Sequence, residues 1–113
     1  MQQINEDKLA EFVIDFDVVS KGQLNESWLA MFGWWSKLLL RKMFGEDLLA
    51  PVTLKGKKSD IESFYKALAS EKNYLTKYKS YGLNDPRTLR DRVKLEIAVR
   101  RFVRQTGLRW PFV

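Results

Sequence analysis

The sequence predicts a small α+β protein of two short strands and three helices, in the order strand, helix, strand, helix, helix, with an apolar C-terminal tail folded back. Three observations predict it. A run of period-two hydrophobicity lies near the N-terminus. Later stretches of helical periodicity carry their own start and stop residues. A composition of 45% hydrophobic and 13% aromatic residues in 113 positions supplies a core without disulfide or metal staples.

The first strand is read from EFVIDFDVV, Glu11 to Val19, where Phe12, Ile14, Phe16 and Val18 alternate with Asp15 and Asp17. Ser20, Lys21 and Gly22 break the alternation. Asn25 then caps a helix from Glu26 to about Phe44, with Gly45 as its stop. VTLK after Pro51 places Val52 and Leu54 opposite Thr53 and Lys55, a second strand that ends in a Gly56 turn. SDIE, Ser59 to Glu62, has the form of a capping box for a second helix that runs to Gly82, with a break expected near Ala69 to Asn73. Asp85 as N-cap and Pro86 at the first helical position open a third helix, which Gly107 closes after Thr106. Trp110, Phe112 and Val113 make the tail too apolar to trail in water.

No repeat or low-complexity linker divides residues 1–113, so a single domain is expected. Its charge is divided nonetheless. Met1 to Ala50 holds five Lys/Arg against eight Asp/Glu, a balance of −3, and Pro51 to Val113 holds fifteen against six, a balance of +9. A mildly acidic β-α half is joined to a basic β-α-α half, a polarity that suits a phosphate-rich or acidic partner.

With neither cysteine nor histidine in the chain, thiolate chemistry, disulfides, the usual metal ligands and the commonest general base are excluded. Asp15 and Asp17, two apart on a strand, are the one candidate pair for a divalent cation, and nothing marks further ligands to join them. LKGKKSD places a glycine and three lysines before a helix start, but lacks the glycine spacing that wraps a phosphate. The expectation is a protein without catalysis, cofactor or metal.

The third helix carries the clearest binding feature. Leu89, Val93, Leu95, Val99, Phe102 and Val103 fall on a broad apolar side, and Arg87, Arg90, Lys94, Arg101 and Arg104 on the other, interrupted by Asp91 alone. These five cations are the candidate site for nucleic acid or an acidic partner, since arginine's planar fork suits phosphate and carboxylate. Arg92, Glu96 and Arg100 form an ion-paired row beside the apolar arc. Tyr74, Tyr78 and Tyr81, interleaved with Lys72, Lys77 and Lys79, suit packing better than base stacking.

The first helix, WLAMFGWWSKLLLRKMFG from Trp28 to Gly45, is apolar over more than half its circumference. Ser36 and Lys37 interrupt it and Arg41 and Lys42 end it, so it is too short to span a bilayer, and its polar strip is too thin for a helix lying in a membrane interface. A domain with two strands has little material to cover such a helix. Trp28, Trp34, Trp35 and Trp110 are therefore the candidate protein interface, with a homo-oligomer or a larger assembly as partner.

From Tyr81 to Phe112, YGLNDPRT, a basic helix and TGLRWPF resemble small proteins of large tailed bacteriophages, on the strength of Asn84-Asp85-Pro86-Arg87 and Trp110-Pro111-Phe112. The resemblance covers the last third of the chain and brings no active site with it. It implies a virion, assembly or infection-accessory protein, in the host cytoplasm or the virion, in keeping with the lack of a secretory signal pattern. Two functions stand open: an assembly protein working through protein contacts, and a dedicated nucleic-acid-binding protein using the basic face of helix 86–106.

Overall fold

β1 (Phe12–Asp15) and β2 (Val52–Lys55) pair in parallel, Ile14 beside Leu54, in the computed structural model of the chain, which describes residues 12–20, 22, 24–47 and 52–112. Glu11, Lys21 and Val113, assigned above to a strand start, a strand break and the tail, lie outside those residues. Parallel neighbours need a long crossover. Here it consists of α1 (Asp17–Ser20) and α2 (Glu26–Met43), after which α3 (Lys58–Tyr81) and α4 (Pro86–Thr106) follow β2.

The architecture is α+β, with one more helical turn than the sequence predicts. β1 stops four residues short of Val19 because Asp15 turns its carboxylate back to accept the Asp17 N–H at 2.9 Å. Phe16 donates one last ladder bond to the Lys55 carbonyl at 2.9 Å, and the chain then winds into α1. Phe16 is nevertheless buried as the period-two pattern requires, seated against Gly56.

Local signals set the other helix ends. The Asn25 side chain accepts the Trp28 N–H at 2.9 Å, and α2 ends at Met43. Asp85 accepts the Arg87 N–H at 2.9 Å, Pro86 opens α4, and Gly107 closes it in the left-handed conformation at φ 76°. The capping box does not form. α3 begins at Lys58, one residue before Ser59, with the Lys57 carbonyl accepting the Ile61 N–H. Ser59 instead accepts a bond from Gln105, and Glu62 reaches Lys58. α3 also runs unbroken through Ala69 to Asn73.

α3 and α4 form an antiparallel pair. Gln105 Nε2 donates to Asp60 Oδ1 at 2.8 Å at one end, and Lys77 Nζ to Asp91 Oδ2 at 3.0 Å toward the other. α2 runs alongside α3 in the same direction, since Phe32 packs on Phe64 and Lys79 lies over the Phe44 ring. The core is an aromatic cluster at the sheet end: Phe16, Phe32, Phe64 and Phe102 sit with ring centroids 5.4–6.5 Å apart. The tail completes it, with Leu108 and Trp110 both buried.

The inward face of α4 differs from the one its hydrophobicity suggests. Thr88, Asp91, Leu95, Ala98, Val99, Phe102 and Thr106 face the rest of the chain, and Leu89, Val93 and Val103 face outward. Asp91, expected to interrupt the outer stripe, is buried because Lys77 of α3 pairs with it.

Candidate functional site

Five cations were expected along one ridge of α4, and the structure divides them. Arg87 is held at the α3–α4 turn, its Nε and a terminal nitrogen each 3.0 Å from an oxygen of Asp85 and its guanidinium 3.4 Å above the Tyr81 ring. That fork and the Arg87 N–H hold the Asp85 carboxyl below its ordinary value, while Asp85 raises Arg87. Arg90 is exposed near the same end.

Lys94, Arg101 and Arg104 line an open groove of about 670 Å³ between α3 and α4. The opposite wall comes from α3, where Ser59, Ser63, Lys66 and Ser70 follow one another at helical spacing. Ala69 and Ala98 are small residues of the floor, and Ile97, 44% exposed, stands beside them. Glu62 is the carboxylate in this lining, and it lies 3.8 Å from Lys58. Lys66, Lys94, Arg101 and Arg104 are all exposed, and none forms an ion pair with a described residue. The groove therefore gathers four cations, drawn from two helices, around an apolar floor.

Lys66 was not singled out from the sequence. The ridge Ser59, Ser63, Lys66, Ser70 was legible as a helical face, but only the register of α3 on α4 shows that it meets Lys94 and Arg101.

The tryptophans separate as well. Trp28 stacks on Phe32, centroids 5.3 Å apart and the rings 9° from parallel. Trp35 packs half-buried against the core, its indole N–H without a hydrogen-bond partner among the described residues. Trp34 is 46% exposed and shares the outer face of α2 with Met31. Trp110 lies in the chain's own core at 3% exposure rather than on a surface, its indole N–H donating to Glu71 Oε1 at 2.9 Å. Glu71 is itself buried, which pushes its pKa up, and the Trp110 bond offsets part of that rise.

On the opposite flank of the α3–α4 pair, Glu71, Tyr74, Trp110 and Phe112 line a second hollow with Arg92, Glu96 and Arg100 at its rim. Arg92 and Glu96 pair at 3.4 Å, whereas Arg100, the third member of the expected row, forms no ion pair with a described residue. Asp15 and Asp17 do not share a strand face, because β1 ends between them, and no three acidic side chains converge among the described residues. Among those residues, too, no helix is long and apolar enough to cross a membrane. Comparison with protein-family models, with curated proteins and with solved structures finds no match for this chain.

Proposed function

We propose that this chain is a non-catalytic interaction protein that holds an acidic partner in the α3–α4 groove, within the assembly or infection machinery of a tailed bacteriophage. The observation that carries the reading is the convergence of Lys66, Lys94, Arg101 and Arg104 on one groove with no ion-pair partner among the described residues. A face that serves solubility alone mixes both signs of charge. The lining holds one carboxylate, Glu62, which lies toward Lys58, so the four cations outnumber it and repel one another, and an anionic partner relieves that repulsion. The phage setting is supported only by the resemblance of Tyr81 to Phe112.

An acidic protein fits this groove better than nucleic acid does. No aromatic ring lines it, so bases find nothing to stack on. The deciding experiment measures binding of the purified chain to polyglutamate and to a single-stranded oligonucleotide across a salt series. Polyglutamate is expected to bind at low salt, and the double variant Lys94→Glu, Arg101→Glu to lose that binding. Four phosphate contacts would cost an oligonucleotide about fifty-fold in affinity between about 50 and 200 mM salt. Tight oligonucleotide binding with that slope, and none to polyglutamate, makes the chain a nucleic-acid-binding protein; no binding to either at low salt overturns both readings.

A second contact is proposed for the outer face of α2, where Trp34 and Met31 are exposed. An exposed indole and thioether side by side favour association, because burying such a side chain contributes roughly 1.5–3 kcal/mol. Sedimentation should show a defined oligomer that Trp34→Gln shifts toward monomer; a wild-type monomer at all concentrations removes this contact.

A further inference from the structure

The groove described above has a shape and an apolar content that charge alone does not require. We infer that its occupant is an amphipathic helix with acidic flanks, supplied by a partner protein. The inference rests on the acidic-partner reading and adds to it the form of the partner.

Consider first the floor. Ala69 and Ala98 leave little side chain between the two helix axes, and Ser63 and Ser70 are equally short. Small residues along a helix pair let a third helix seat closely, at the 8–10 Å separation of packed helices. The groove follows residues 59–70 of α3 and 94–105 of α4, about 17 Å on each at 1.5 Å per residue. That length accepts about three turns of a helix, enough for apolar anchors at i, i+3 or i+4, and i+7.

The apolar content points the same way. Ile97 in the lining is 44% exposed, and Ala69 and Ala98 lie beside it. A phosphate backbone offers these side chains nothing, whereas the apolar stripe of an amphipathic helix buries them. The charges then fall where such a helix needs them. Lys66 rises on the α3 side of the floor, and Lys94, Arg101 and Arg104 on the α4 side. An amphipathic helix carries its polar residues on both sides of its stripe, so carboxylates there meet Lys94, Arg101 and Arg104 on the α4 wall and Lys66, one turn beyond Glu62, on the α3 wall. This is the anatomy of a protein interface, an apolar centre with a charged rim.

The test uses the full chain and three labelled probes, read by fluorescence anisotropy at moderate salt. One is a peptide of about 18 residues with leucine on one helical face and glutamate flanking it. The second is the same composition scrambled so that no stripe forms. The third is a single-stranded oligonucleotide of similar charge. The amphipathic peptide should bind at least about tenfold tighter than the scrambled one. Ile97→Ser and Ala69→Trp, which remove the apolar wall and fill the floor without altering charge, should each bring the affinity of the amphipathic peptide down to that of the scrambled one. Ser80→Ala, exposed at the end of α3 away from the groove, should preserve the difference. Should Ala69→Trp fail to fold, the exposed Ile97→Ser still decides.

Equal affinity for the two peptides overturns the helix inference and leaves the acidic-partner reading standing. A preference that survives both groove variants places the peptide elsewhere and overturns the inference. Tighter binding of the oligonucleotide than of either peptide overturns it in favour of nucleic acid, and absence of binding to all three removes both readings together.

Discussion

Glu71 poses a choice between two opposing effects, and a pair of substitutions separates them. The residue is 5% exposed, and its carboxylate accepts the Trp110 indole N–H at 2.9 Å, tying the tail to α3. A charged acceptor makes a stronger bond than a neutral one, but keeping that charge out of water costs more, which is why the pKa lies above its ordinary value of 4.5. A carboxyl group whose pKa rises on folding adds stability below its unfolded value, and that stability is lost as pH climbs through the raised value. Glu71→Gln keeps the acceptor and removes the charge, so it should match or exceed the wild type at pH 7 and lose that advantage near pH 4.5. Glu71→Leu removes the charge and the acceptor together, leaving a buried indole N–H unpaired at a cost of about 1–3 kcal/mol relative to Glu71→Gln. Against a total stability of about 5–15 kcal/mol that is a large fraction. Urea unfolding of the three proteins at both pH values, followed by tryptophan fluorescence, measures all of this, and comparison at one pH cancels the opposite pH response of Asp85, whose pKa is lowered. A Glu71→Gln protein less stable than the wild type at pH 7, or one within about 0.5 kcal/mol of Glu71→Leu, would refute the reasoning.

Two further substitutions test the fold that supports the groove. Gly56 sits at φ 131° with Phe16 Cβ 3.0 Å from where its own Cβ would lie, so Gly56→Ala should destabilise by more than about 1 kcal/mol in the same urea assay, and an unchanged midpoint would show that the β2–α3 turn relaxes freely. Phe102 is fully buried against Phe16, Phe32, Phe64 and Trp110, so Phe102→Ala should cost about 3–5 kcal/mol, and a loss below about 1 kcal/mol would mean that the aromatic cluster does not hold α4 in place.

The parts legible in the sequence were those specified locally. Asn25, Asp85 with Pro86, and Gly107 act within a turn of themselves, so the ends of α2 and α4 could be read directly. Val52 to Lys55 stood as β2 for the same reason. What escaped depends on contacts distant in the chain. A period of two over Phe12 to Val18 is satisfied by a strand or by a short strand and a turn, and Asp15's bond to the Asp17 N–H chooses the turn. α4 has apolar residues on two arcs, and hydrophobicity alone cannot rank Leu89, Val93 and Ile97 below Leu95, Val99 and Phe102. The pairing of Asp91 with Lys77, fourteen residues away, and the seating of Phe102 in the aromatic cluster rank them. Trp110 looked like an interface residue because its partner, Glu71, is 39 residues distant.

The same division bears on why the groove, rather than the whole basic ridge, is the place to look for a partner. Arg87 and Arg90 lie at the far end of α4, where Arg87 is already committed to Asp85 and Tyr81. Around the groove, the inner face of α3 carries Phe64, Ala67 and Leu68 and that of α4 carries Phe102, all buried in the core. Gln105 further locks the two helices through Asp60 and Ser59. A site built on packed helices loses little backbone ordering entropy when it binds, so its cations project from fixed backbone positions. Rigidity beneath and unpaired charge above coincide at Lys66, Lys94, Arg101 and Arg104, and that coincidence, more than the count of basic residues, marks the groove as the surface to test.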